Sequence, residues 1–335
     1  MVFKIGLIGC GGIARMHMQV LSEIKEIQLA SFCDIVEDRA KEFNVKYAGG
    51  NANVYNDFSR MIEREDLDIV YICLPPFAHS NEVELAAEKG VHVFIEKPIA
   101  LNMEKARSMV AAAKRHSIKT QVGFQLRFGT AVEFFKSMVE KGEAGQTGLF
   151  LAKYYCNSLH SPWWRDKSKS GGQVVEQIIH LYDLSRFMVG EPRSIYCRMD
   201  NLFHKGVEGY TSEDVSTTVI RFKDGSLGSI SASNFAIPNR WLHEFDVVSS
   251  RLTAHFTDAN NAVFTKTDRH WDETLTVSSE KNLHEAIVLD FLNAVKNDVS
   301  TKVPIEEGAR SLNLVLSARK SAEEGREILV ENLVL

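Results

Sequence analysis

The chain has 335 residues, 44% of them apolar and 25% charged, with a formal net charge of −5. That length holds two cores, and that composition belongs to an ordinary globular protein. The basic residues are scattered, which argues against nucleic acid as a partner, and no apolar run reaches bilayer length, which argues against a membrane.

Residues 3–8 (FKIGLI) read as a short apolar strand, followed by a glycine turn and helical spacing over 13–24. A second strand, 27–33, ends at Asp34 and precedes a helix over 36–45. A third, 69–74, is stopped by Pro75-Pro76, and a helix over 79–89 leads to the strand 91–95. A helix over 102–116 and a strand over 119–123 complete this part. Strands alternating with amphipathic helices give right-handed crossovers and a mostly parallel sheet. The strands are continuous apolar runs, as expected when both faces are buried. From residue 124 the texture changes to a helix over 130–141, a long strand over 149–157, a polar loop over 158–171 and a helix over 172–189. Between 194 and 276 apolar and polar residues alternate, as in antiparallel strands with one covered face. Helices over 283–297 and 306–324 close the chain. The fold class is α/β, with a dinucleotide-binding domain of 1–123 and an α+β domain of 124–335.

The five cysteines are far apart and none forms a C-x-x-C pair. Their odd count, without a signal-peptide pattern, predicts a reducing cytoplasm.

The turn after the first strand reads G-C-G-G-I-A from Gly9 to Ala14. Gly9 allows a tight turn, Gly11 a close backbone approach to a pyrophosphate, and Ala14 the helix–strand contact. The helix amino terminus at Gly12 and Ile13 then offers free N–H groups to the anion. Asp34 can accept both ribose hydroxyls of an adenosine and would repel a 2′-phosphate, so NAD is expected over NADP. Arg39 softens that preference, and a plain helix cap is the other reading of Asp34. Leu74 and Pro75 open a rigid wall beside the cofactor, because the two prolines cannot extend the strand. His79 reads as a helix-start residue or as a contact to the cofactor ribose.

Lys97 lies in Glu96-Lys97-Pro98, after an apolar strand in the same sheet as the glycine turn. Strand-end lysines are commonly solvated. Here the strand holds the ammonium at the carboxyl edge of the sheet, where ligands bind, and Glu96 adds a carboxylate for a ribose. Downstream, Glu176 and His180 are i, i+4 on one expected helix, with Asp183 continuing the stripe. A carboxylate there can orient the imidazole of a general base; a surface ion pair and a metal site are the rival readings. Trp163 and Trp164, with Arg165, suggest a lid or stacking platform, or a cover for the domain junction. Asn157, at a strand end, is a candidate polyol contact.

With these motifs the chain resembles the glucose–fructose oxidoreductase / inositol dehydrogenase (Gfo/Idh/MocA) family over almost its whole length. The segments L-P-P-F-A-H, G-V-H-V-F-I-E-K-P and S-G-G-Q-V-V-E-Q-I-I-H-L-Y-D carry the resemblance with the glycine turn and Asp34. It implies a Rossmann domain and a second domain with an open, mixed, largely antiparallel sheet whose outer face forms a homodimer or homotetramer. It assigns Lys97 to the reacting oxygen, His180 to the proton, Glu176 to the place of the family aspartate, and Asp183 to substrate. Gln125 stands where many relatives carry asparagine, and Ile178 where a glycine is frequent. The block expected at the cofactor is therefore Gly9, Gly11, Gly12, Ile13, Asp34, Leu74, Pro75, His79, Glu96, Lys97, Gln125, Trp164 and Arg165. That expected at the substrate is Lys97, Asn157, Trp163, Glu176, His180 and Asp183, with no metal. The activity implied is NAD(P)-dependent dehydrogenation of a sugar, polyol or inositol-like secondary alcohol. An NAD-dependent glycosidase and a non-catalytic NAD-binding sensor are the alternatives.

Overall fold

The computed structural model describes residues 2–268 and 273–335. They divide into two compact units, one of residues up to Gly123 with His284–Ala309 and Leu335, the other of Phe124–Leu283 and Arg310–Val334.

The first unit runs β1 (Phe3–Ile8), α1 (Gly12–Leu21), β2 (Ile27–Cys33), α2 (Glu37–Ala48), β3 (Asn53–Tyr55), α3 (Phe58–Arg64), β4 (Ile69–Ile72), α4 (Glu82–Glu88), β5 (His92–Ile95), α5 (Met103–Arg115) and β6 (Thr120–Val122). All six strands are parallel, in the order β3-β2-β1-β4-β5-β6. Chain direction across the sheet reverses between β1 and β4, the point at which open α/β sheets bind ligands. Every residue of β4, and Val93, Phe94 and Ile95 of β5, is fully buried, which explains why these strands lack alternation. Neither β3 nor α3 has a signature that can be read along the chain. Three strand residues are too few for a period, and α3 rests on a local cap, Asp57 accepting from the backbone N–H groups of Ser59 and Arg60.

The second unit continues with α6 (Thr130–Glu140), β7 (Thr147–Tyr155), α7 (Pro162–Arg165), α8 (Lys167–Ser170), α9 (Gln173–Glu176), α10 (Ile179–Met188), β8 (Pro192–Asp200), β9 (Val215–Phe222), β10 (Leu227–Ser233), β11 (Leu242–Ser249), β12 (Leu252–Phe256), β13 (Ala262–Lys266) and β14 (Glu273–Val277). After these come α11 (Leu283–Asn297), α12 (Ile305–Glu324) and β15 (Ile328–Leu329). Among the described residues nine strands form one sheet, ordered β14-β13-β12-β11-β7-β10-β9-β8-β15, in which only β7 and β10 run parallel. The alternating run expected over 194–276 crosses residues 269–272, which lie outside the described residues. On one face Phe150, Ile220, Ile230, Val247, Ala254 and Phe264 are buried. On the other, Tyr196, Val219, Ser229, Leu151, Asp246, His255 and Val263 form one register row across seven strands.

Two expectations are corrected here. The loop 158–171 carries two single-turn helices, and the helix expected over 172–189 is broken into α9 and α10 at Gln177-Ile178. The N–H groups of Gln177 and Ile178 both bond the Gln173 carbonyl, at 2.9 and 3.0 Å, which widens the turn to an i→i+5 spacing. Val174, Val175, Ile178 and Ile179 are all fully buried, so the packing of four stiff β-branched side chains outweighs a regular helix.

The helix α11, read from sequence with the second domain, belongs to the first unit from its second residue onward. Its buried stripe of Ile287, Val288, Phe291 and Ala294 sets Phe291 against Tyr71 and Phe94, which stack on one another at 4.6 Å. Gln121 of β6 bonds both Asp290 and the Val303 N–H, and Val122 donates to the Val303 carbonyl. Among the described residues no helix is long and apolar enough to cross a membrane.

Candidate active site

The first group of candidates sits on the carboxyl ends of β1, β2 and β4. Gly9 has φ +89°, and a Cβ there would lie 2.5 Å from the Cys73 carbonyl oxygen, so only glycine fits the turn. Its N–H donates to the Cys33 carbonyl, which ties the turn to β2. At Gly11 and Gly12 a Cβ would meet nothing within 4 Å. Among the described residues no side chain caps the start of α1, so its first N–H groups face this open space. The cradle fits an anionic pyrophosphate, which backbone amides and the helix terminus would hold. The Asp34 carboxylate is fixed beside it by the N–H groups of Cys10 and Val36, each at 2.9 Å. One bond per oxygen leaves lone pairs for ribose hydroxyls. Cys10, Cys33 and Cys73 surround the turn as buried thiols; burial pushes all three up, Cys33 to about 12, so they pack as apolar groups.

After β4, Leu74 and Pro75 are half-buried, and Pro76 starts a short 3₁₀ turn, Pro76–Ala78. The His79 side chain is only 1% exposed and turns inward, with Nδ1 2.5 Å from Glu82 Oε1. Its Nε2 is buried without a hydrogen-bond partner among the described residues. Burial pushes the Glu82 carboxyl up, but the hydrogen bond and charge of His79, with two backbone N–H groups, bring it below its ordinary range.

Lys97 follows β5 and is half-buried, with a cis peptide to Pro98. Glu96 does not reach outward as expected for a ribose contact. Its carboxylate is buried, with Oε1 2.7 Å from His17 Nε2 and Oε2 accepting the Lys97 backbone N–H at 3.2 Å. Burial pushes this carboxyl up, and the hydrogen bond and charge of His17, then the charges of Lys97 and His284, outweigh it and hold it below its ordinary range. Nothing in the motif reading singled out His17. Its place on the apolar face of α1 with Ala14, Met18 and Leu21 was the available signal.

In the second unit, Gln125 opens the 3₁₀ turn Gln125–Phe128, and His180 is half-buried, its ring edge-on to Phe124 at 5.9 Å between centroids. Trp164 is 3% exposed and donates its indole N–H to Glu176 Oε2 at 2.6 Å. Its ring lies 4.1 Å from that of His160, so it supports Glu176 where a cofactor contact was expected. The Arg165 guanidinium is turned back onto the carbonyls of Leu159 and His160. Trp163 and Asn157 are half-buried, and Asn157 forms a lone bridge with Phe235. Asp183 is a correction. It is 1% exposed and bonded to Arg127 through both oxygens, at 2.8 and 2.6 Å, with Ser311 also donating to it at 2.8 Å. That burial and pairing turn it into the interior, where a substrate contact was expected, and the buried Arg127 was its unforeseen partner. Among the described residues no group of three or more His, Cys, Asp or Glu could hold a metal ion.

A parallel sheet in this strand order, a glycine cradle and a fixed acidic residue at the end of β2 define a dinucleotide-dependent oxidoreductase with an appended open-sheet unit. Residues 3–124 match the family model described as "Oxidoreductase family, NAD-binding Rossmann fold", and residues 132–259 match the GFO/IDH/MocA C-terminal domain. The chain belongs to the GFO/IDH/MocA oxidoreductase family. It is 26% identical over 337 residues to the myo-inositol 2-dehydrogenase of Thermotoga maritima, with 99% of each chain covered. It is 24% identical over 343 residues to the scyllo-inositol 2-dehydrogenase (NAD(+)) of Bacillus subtilis, covering 98% of this chain and 96% of that one. Among solved structures, levoglucosan dehydrogenase in complex with NADH and L-sorbose superposes with a TM-score of 0.91 at 21% identity, over 99% of this chain and 100% of that one. At that identity the likeness speaks for the fold.

Proposed function

We propose that the protein is an NAD-dependent dehydrogenase that oxidises a secondary alcohol of a sugar, polyol or inositol-like compound, or reduces the matching ketone. The observation that carries this reading is Lys97, at the carboxyl end of β5 beside an anchored carboxylate, in the same sheet as the glycine cradle. A bound nicotinamide would supply the hydride chemistry. The chain's own part is binding, orientation and proton handling. The Lys97 ammonium donates to the reacting oxygen and stabilises the negative charge that grows there. His180 takes the hydroxyl proton on an imidazole nitrogen in oxidation and gives it back in reduction. Glu176, held by Trp164, is the carboxylate we assign to orienting that imidazole. Gln125, Asn157 and Trp163 are the remaining candidates for contact with the substrate or cofactor.

Asp34 supports NAD over NADP, since a fixed carboxylate would face a 2′-phosphate. A penalty of about 3 kcal/mol corresponds to about a hundredfold preference in kcat/KM. A panel of inositols, sugars and polyols, followed by NADH absorbance, tests the reading. Net accumulation of NADH with one class of substrate is expected, and release of an aglycone without net NADH would overturn it. We also propose a homodimer or homotetramer built on the exposed face of the nine-stranded sheet, where Leu151, Val219, Val248 and Val263 are each more than a third exposed. Sedimentation as a monomer at micromolar concentration would remove that proposal. Five free, buried cysteines favour a reducing cytoplasm, which fractionation of the source cells would check.

A further inference from the structure

Beneath Lys97 lies a buried set of polar groups to which the reaction above gives no task. The His17 side chain is 1% exposed. Its ring is held edge-on by Phe94 at 4.7 Å and by His284 at 5.8 Å, with Tyr71 at 5.7 Å. Within that packing the imidazole is turned with Nε2 2.7 Å from Glu96 Oε1. The carboxylate is confined from a third side as well. A Cβ on Gly123, after β6, would lie 2.7 Å from each carboxylate oxygen, so glycine is what lets Glu96 occupy this place. From there Oε2 accepts the Lys97 backbone N–H, and the carboxylate and the ammonium feel one another's charge. The other titratable groups that face Glu96 are His284 of α11 and the Cys73 thiol after β4.

We infer that His17 is a positioning residue for Lys97: it pins the Glu96 carboxylate at the one point from which that carboxylate fixes the Lys97 backbone and supplies the counter-charge of its ammonium. The inference rests on the catalytic reading of Lys97. It assigns His17 no contact with substrate or cofactor. A side chain acting this way alters the aim of the ammonium, and small misplacements of a catalytic group cost up to about a hundredfold in rate.

The test compares His17→Leu with His17→Gln, which returns an N–H donor at similar reach, and measures kcat, substrate KM and the Kd for NAD on folded protein. The leucine variant should lose about 10- to 100-fold in kcat, with KM and the NAD Kd within about threefold of the parent. The glutamine variant should recover most of that loss. Unchanged kcat in the leucine variant, or glutamine no better than leucine, overturns the inference. Should the leucine variant fail to fold, Glu96→Gln replaces it, since it preserves shape and removes the charge. A fall in kcat at constant NAD Kd is then expected, and unaltered kcat overturns the inference. Lys97→Ala run alongside separates the two claims. Wild-type turnover in that variant sinks the catalytic reading itself, whereas an inactive Lys97→Ala with a normal His17→Leu sinks only the role of His17.

Discussion

Asp183 and Arg127 make a buried, two-pronged ion pair of 2% and 3% side-chain exposure, capped by Ser311, and Ser311 also accepts from Arg186. Removing one partner strands the other charge away from water, at a cost of about 3–5 kcal/mol. Asp183→Ala should therefore lower the unfolding free energy by about that amount while leaving substrate KM of the folded enzyme near the parent value. A large rise in KM with unchanged stability would return Asp183 to the substrate. The residues that sequence reading interpreted through the backbone have the geometry it expected, namely Gly9 with positive φ and Asp34 at the end of β2. Those it interpreted through side-chain chemistry alone were less secure. Glu96, Asp183 and Trp164 carry the right groups, but a sequence does not say which way a carboxylate or an indole turns. Their partners His17 and Arg127 lie 79 and 56 residues away along the chain.

At the scale of elements, α11 adds an apolar stripe to the first unit after the chain has passed through the second. Phe291 is fully buried against Tyr71 and Phe94. Phe291→Ala should destabilise by about 3–5 kcal/mol, seen as an early loss of the first unit in chemical denaturation. A shift confined to the second unit would contradict the assignment of this helix. Helical periodicity revealed α11 as a helix, yet the same period suits any apolar surface, so the unit it joins was illegible. The break between α9 and α10 was hidden for a related reason. The stripe of Val174, Ile178 and Leu181 is nearly the same for a regular helix and for one widened by a single i→i+5 turn. The parallel strands were the easiest to read, because β4 and β5 are buried on both faces and show it in unbroken apolar runs.

For the molecule as a whole, family membership and the nicotinamide-binding architecture agree with the fold and activity class expected from the motifs. The segment 158–171 was the hardest to read, because its two short helices, the buried Trp164 and the Arg165 guanidinium folded back on its own loop have no periodic signature. The proposed chemistry requires Lys97 and His180 to act on the same substrate oxygen. Groups that work as one unit lose activity non-additively when removed together. Turnover of Lys97→Ala, His180→Ala and the double variant, with the NAD Kd measured for each, tests this most directly. Each single variant should lose about 10²–10³ in kcat with NAD still bound, and the double variant should be little worse than the poorer single. Wild-type-like turnover in either single variant, or losses that multiply in the double, would contradict it.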